Sequence, residues 1–393
     1  MRRRYFDRIA ATPLRPEVLE VVRSALGDVT GNPQSLHAEG RQALDAVEAA
    51  REEVAGLVGA QSAEVYFTSS GTEANNFAVK GLALGQQARG RHIVVSAIEH
   101  SSVLNSVKAL AKQGFSSTIV PVDRSARVDP ADVEKALTKE TVLVSVMTAN
   151  SEVGTVQPIA AIAAVCRARG VLFHTDAVAA AGSIPLDVKT LGVDALSLAA
   201  DQFYGPKGSA ALFVRNSVRI LPLIDGGIQE GGRRGGTENV AGIVGMGRAA
   251  RLARQEMGTR TAALVPLRDR LIEELPGRVG HVIVTGSLTE RLPYHASFCI
   301  EFVEGEGMLL SLDMKGVAVS SGSACTSKAL KASHVLLAMG LDHAIAQGSL
   351  VFSLIDGTSA EDVDYVLDVF PPAIERLRRM SPLYTQFLKE RGS

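Results

Sequence analysis

The sequence predicts an α/β protein, a mostly parallel sheet wrapped in helices, followed by a smaller α+β unit. Short β-rich runs alternate with helical runs from about residue 60 to 215, and polar clusters fall at the ends of those β-rich runs. Beyond about residue 255 the alternation gives way to sparser strands and helices. A βαβα order implies parallel strands joined by crossover helices, and ligands in such sheets sit at the carboxyl ends of strands.

The elements follow in order. Glu64-Val-Tyr-Phe-Thr68 precedes a helix over 72–84, His92-Ile-Val-Val-Ser96 precedes one over 101–113, and Thr141-Val-Leu-Val-Ser-Val146 precedes one over 159–169. Val171-Leu-Phe-His-Thr175 and Ala210-Ala-Leu-Phe-Val214 complete the series, each a short β-branched or aromatic run. A Gly-rich stretch over 225–237 then opens a long helical region running to about residue 275. Strands are expected near 281–285, 296–303 and 349–354, and helices near 305–315, 329–339 and 359–379. The expected division is a large α/β domain over 15–254 and a small α+β domain from 1–14 and 255–393.

With 393 residues, 46% of them hydrophobic, the chain can bury a large core, which favours two domains over one. A net charge of -1 gives no general attraction to nucleic acid or anionic lipid. No apolar run approaches the roughly 20 residues of a membrane span. The opening Met-Arg-Arg-Arg-Tyr-Phe-Asp lacks a secretory signal's apolar segment, so a cytoplasmic protein is expected. The three cysteines are widely spaced, without metal-binding spacing. Cys166 and Cys299 sit in apolar helix and strand patterns, as buried small hydrophobes do. Cys325 differs. It lies in Ser320-Ser-Gly-Ser-Ala-Cys-Thr-Ser327, among small residues suited to a thiol with a function.

Three further motifs fall after strands. Ser69-Ser-Gly-Thr-Glu-Ala-Asn-Asn76 opens a helix, where backbone N–H groups and the Thr72 hydroxyl can cradle a phosphate; a plain helix cap is the commoner use of such a turn. Glu99-His100 and His174-Thr-Asp176 end two more strands. An imidazole there can stack on an aromatic cofactor, and a carboxylate can pair with a pyridinium nitrogen. The ordinary alternatives are a hydrogen-bonded histidine and a helix-capping aspartate.

Taken with Gly31-Asn-Pro-Gln-Ser-Leu-His37, Asn150-Ser-Glu-Val-Gly-Thr-Val-Gln157, Tyr204-Gly-Pro-Lys-Gly208, Gly235-Gly-Thr237 and Val303-Glu-Gly-Glu306, these motifs resemble the NifS/IscS-type cysteine desulfurases of aminotransferase class V over essentially the whole chain. The resemblance implies the type I fold of pyridoxal phosphate (PLP) dependent transferases, with a mainly parallel seven-stranded sheet, and a homodimer that takes sulfur from L-cysteine as a persulfide on Cys325. It also implies an iron–sulfur scaffold or sulfur-acceptor protein as partner. Residue by residue, it gives Thr72 and the partner-facing Thr237 to the phosphate, His100 to ring stacking, Asn150 to the ring's side and Asp176 to the pyridine nitrogen.

Five positions depart from that pattern. Gln202 stands in Ser197-Leu-Ala-Ala-Asp-Gln-Phe-Tyr-Gly-Pro-Lys-Gly208 where the family has its Schiff-base lysine, and an amide cannot condense with an aldehyde. Ala199 and Asp201 replace a phosphate-binding serine and histidine, Ala179 a glutamine beside the ring, and Val351 the arginine for the substrate carboxylate. Two lost phosphate hydrogen bonds at about 1.5–3 kcal/mol apiece would weaken PLP by roughly 10²–10⁴-fold. Lys207 belongs to the family's Gly-Pro-Lys-Gly turn and is a poor substitute anchor.

The sequence therefore predicts a desulfurase-like homodimer of iron–sulfur assembly without ordinary PLP chemistry, Cys325 carrying sulfur or ligating a nascent cluster. Two alternatives stay open. One is a PLP-dependent desulfurase or lyase holding its cofactor non-covalently; the other is a binding module with a remodelled pocket.

Overall fold

The computed structural model describes residues 2–322 and 332–391. Its centre is a seven-stranded sheet built from β2 (Val65–Thr68), β3 (His92–Ser96), β4 (Ser116–Val120), β5 (Thr141–Ser145), β6 (Leu172–Asp176), β7 (Ala195–Ala199) and β8 (Ala210–Val214). The strand β1 (Arg4–Tyr5) lies outside it. The order is β2-β8-β7-β6-β5-β3-β4. Neighbours from β7 to β4 are parallel, while β8 runs against both β7 and β2. Strands β2, β3, β5, β7 and β8 are buried along their whole length, the expected state of strands covered on both faces.

The predicted helices are present over Gly71–Gly85, Ser101–Ala111 and Ile159–Ala168. Each begins with the local chemistry its sequence supplies. Ser70 caps the first by accepting the Glu73 N–H, and His100 caps the second by accepting the Ser102 N–H. Two helices not anticipated, Pro16–Asp28 and Ala38–Val58, pack on the helix Val240–Val279, which spans 40 residues.

A second sheet is antiparallel, of order β12-β10-β9, from β9 (Val282–Val284), β10 (His295–Ile300) and β12 (Ser349–Ser353). The N-terminal β1 pairs with β11 (Val317–Ala318), and the chain following it runs beside Ser353. The α+β character expected after residue 255 is therefore present. Among the described residues no helix is long and apolar enough to cross a membrane.

Candidate functional site

Parallel strands deliver their polar ends to one edge of the sheet. Asp176 closes β6 and is buried; its Oδ2 accepts from Asn75 Nδ2 at 2.6 Å and its Oδ1 from the Val178 N–H at 2.9 Å. Burial raises its carboxyl, opposed by His100 and these hydrogen bonds. Asn75 Nδ2 also donates to Ser102 Oγ at 2.9 Å, and that hydroxyl lies 2.7 Å from His100 Nδ1. Because His100 Nδ1 also accepts the Ser102 N–H, the ring of a neutral His100 carries its proton on Nε2. One chain of hydrogen bonds thus connects the predicted stacking residue to the predicted ring-nitrogen partner.

Glu99 lies behind His100, fully buried. Its Oε1 accepts from Ser96 Oγ at 2.5 Å and the Met147 N–H at 2.8 Å, while Oε2 has no partner among the described residues. Burial pushes this carboxyl up to about 8, with the nearby Asp176 charge adding to the rise. His174 is a core residue. Its ring is held between Ser145 and Ser197 hydroxyls, each at 2.9 Å, and burial drives it down to about 3.

Asn150 is buried in the turn after β5, with its amide engaged at both ends: Nδ2 donates to the Ile98 carbonyl, and Oδ1 accepts the Glu152 and Val153 N–H groups. Thr72 is exposed in the first turn of the Gly71–Gly85 helix. Gly71 beside it is closely packed: an added Cβ would sit 2.8 Å from Val178 Cγ2, so that side chain would have to shift. Glu73 accepts from Ser69 and pairs with Arg234 Nε at 2.8 Å, which ties the Gly-rich stretch to this helix start. Thr237, three residues on, is exposed.

The departing residues sit at the neighbouring end of β7. Ala199 is its last residue, buried, and Gln202 is buried in the 3₁₀ turn Ala200–Gln202, its Nε2 donating to the Ile9 carbonyl at 3.3 Å. Asp201 is half-buried; burial raises its carboxyl, with Lys207 pulling it down. Lys207 itself is exposed. Ala179 is half-buried, and its carbonyl accepts from Tyr294 Oη at 2.7 Å. Val351 is 1% exposed in β12, its N–H donating to the Ser320 carbonyl.

Cys325 lies outside the described residues. The residues on either side of that stretch meet one carboxylate: Glu152 Oε2 accepts from Ser333 Oγ, and a Cβ on Gly322 would lie 2.6 Å from the same oxygen. Burial pushes Glu152 up to about 7. Among the described residues no group of three His, Cys, Asp or Glu forms a metal-binding set. Cys166 and Cys299 are buried, as predicted, and burial pushes both thiols up to about 12.

The family model for aminotransferase class V matches residues 4–366. The chain belongs to that family. It is 48% identical to the cysteine desulfurase IscS of Dictyoglomus turgidum, over 96% of each protein. Among solved structures, a NifS-like protein superposes with a TM-score of 0.90 at 37% identity, covering 95% of this chain and all of the other. The protein SspA, solved in complex with cysteine, matches at 34% identity and a TM-score of 0.79, covering 91% of this chain and all of the other. The class V fold is thus a type I PLP-transferase fold with a mainly parallel sheet, as the sequence predicted.

The site fits the ring of PLP, and residue 202 offers it no amine. A buried carboxylate held by two donors suits a pyridine nitrogen, and the Asp176–Asn75–Ser102–His100 chain fixes the group that would lie over the ring. No primary amine stands at residue 202, and the turn that bears it is flanked by the buried Ala199 and the half-buried Asp201. Asn75, Ser102, Glu99 and Glu152 were not singled out by the sequence reasoning. Asn75, Glu99 and Glu152 lie inside quoted motifs and Ser102 two residues beyond one, but partners such as Asp176, Met147 and Ser333 come from elsewhere in the chain.

Proposed function

We propose that this protein handles the sulfur of L-cysteine as a cysteine desulfurase of the class V family, with PLP held non-covalently. The observation that carries it is the buried Asp176 at the end of β6, whose two oxygens accept from Asn75 Nδ2 and the Val178 N–H and which is joined through Ser102 to His100. PLP bound there would supply an electron-withdrawing ring that acidifies the α-carbon of an amino acid. Asp176 would hold the ring nitrogen, His100 would cover the ring, and Thr72 with Thr237 would take the phosphate. Cys325 would receive the sulfur. The names of the curated relatives favour this reading over that of an inert scaffold. The proposed assembly is a cytoplasmic homodimer that delivers sulfur to an iron–sulfur scaffold or another acceptor.

Absorbance titration with PLP tests the reading. Saturable binding is expected, and borohydride should leave no adduct on residues 197–208, because Gln202 has no condensing amine. A reduced adduct on Lys207 would overturn the non-covalent mode, and the absence of any binding would overturn the cofactor.

A second reading rests on Gln202, Asp201, Ala199 and Val351 together. In it the chain is a partner in iron–sulfur assembly without PLP chemistry, with Cys325 carrying sulfur or ligating a cluster. Anaerobically purified protein with a brown cluster spectrum and no PLP binding would support it.

A further inference from the structure

Arg8 is 1% exposed and is among the largest fully buried side chains of the protein. Among the described residues it forms no ion pair, and its Nε has no hydrogen-bond partner. The neighbouring carboxylate, Asp7, accepts from Ser320. Arg8 Nη2 donates to Ser183 Oγ at 2.5 Å and to the Gln202 carbonyl at 3.2 Å. The guanidinium carbon lies 3.9 Å from the centre of the Tyr294 ring and 5.4 Å from that of Tyr204. Tyr294 in turn donates to the carbonyl of Ala179.

A buried cation without a carboxylate is costly, because it gives up hydration that no opposite charge replaces. Hydrogen bonds to neutral oxygens and the faces of two tyrosines offset part of that cost and leave the charge itself uncompensated. Its place in the fold is specific. The Arg8 N–H donates to the Ser353 carbonyl, and the Ile9 N–H to Ser353 Oγ, two residues along β12 from Val351 and on the same face of the strand. Arg8 thus stands between Gln202 and the strand that carries Val351, two positions where a cation was expected and none is present.

We infer that Arg8 is the fixed cation of this site, standing in for the two positive side chains that Gln202 and Val351 replace, and that it selects ligands bearing a carboxylate. It acts through space from beneath the turn that bears Gln202 and needs no direct contact, since charge is felt over longer distances where water is excluded. The inference deepens the proposed function, taking a cysteine-type amino acid as the ligand class.

The test is equilibrium binding of L-cysteine against cysteamine, its carboxylate-free counterpart, to the full chain without PLP. The wild type should favour L-cysteine by at least about tenfold, equivalent to about 1.4 kcal/mol. Arg8→Met should remove the preference, and Arg8→Lys should keep most of it. An unchanged preference in Arg8→Met, a wild type with no preference, or a folded Arg8→Lys that loses it would each overturn the inference. If Arg8→Met does not fold, the wild type and Arg8→Lys still decide. The outcome is separable from the cofactor reading: a chain that titrates with PLP yet treats the two ligands alike sinks only this inference, and the converse result sinks only PLP.

Discussion

Replacing Glu99 by glutamine should make the protein insensitive to one component of its pH dependence. Its carboxyl is fully buried and pushed up to about 8 from an ordinary 4.5, so the folded protein holds a proton there that the unfolded chain releases. The contribution is complete below about pH 4.5 and is lost as pH rises towards 8, because in that window the folded state binds more protons. Each pH unit inside the window removes about 1.4 kcal/mol, so between pH 5.5 and 7.5 Glu99 should cost the wild type up to about 3 kcal/mol. Glutamine mimics the protonated acid: its oxygen can keep the Ser96 and Met147 donors, and its NH₂ occupies the place of Oε2. Urea denaturation of both proteins at the two pH values measures the difference. Glu99→Gln should already exceed the wild type at pH 5.5, by about 1.4 kcal/mol, and exceed it by up to about 3 kcal/mol more at pH 7.5. Parallel slopes of stability against pH would refute the claim that Glu99 is neutral in the folded protein.

Other tests address the anchor, the thiols and the Gly-rich stretch. Gln202→Lys alone should restore little PLP-dependent activity, whereas adding Ala199→Ser, Asp201→His and Val351→Arg should raise PLP affinity, by roughly 10²-fold or more on absorbance titration. Brief alkylation followed by peptide mapping should label Cys325 before Cys166 and Cys299, whose burial keeps them protonated and shielded. Glu230 holds both Arg51 nitrogens, at 2.7 and 2.8 Å, and the Phe67 N–H, so Glu230→Ala should destabilise the fold by about 3–5 kcal/mol in urea melts.

The strands that could be read in the sequence were those made of β-branched runs, such as Ile93-Val-Val95 and Val142-Leu-Val144. Two strands of the seven-stranded sheet were missed for physical reasons. β4, Ser-Ser-Thr-Ile-Val, is a largely exposed edge strand with no buried alternation, and β7, Ala-Leu-Ser-Leu-Ala, carries small residues that give no strand signal. Candidate site residues were legible wherever they end a strand, as Asp176 and His100 do. Their partners were not, since Asn75 reaches Asp176 across 101 positions and no local pattern records the encounter. Arg8 is the extreme case. Its meaning depends on Ser353 and Gln202, both remote in the chain, so nothing near residue 8 in the sequence signals it.

The helix Val240–Val279 has a mechanical consequence. At 1.5 Å per residue its 40 residues form a strut about 60 Å long. It packs on Ala38–Val58 and Pro16–Asp28, and also on β9, β10 and the helix Ala360–Arg379. Because β12 is bonded to β10, a tilt of the strut's far part displaces Val351 relative to the turn that bears Gln202. Pro266, inside the helix, removes one backbone hydrogen bond and marks where bending is easiest. Pro276 removes a second such bond, so any bend would fall in the part of the strut that packs on β9 and β10 and would carry the antiparallel sheet as a unit.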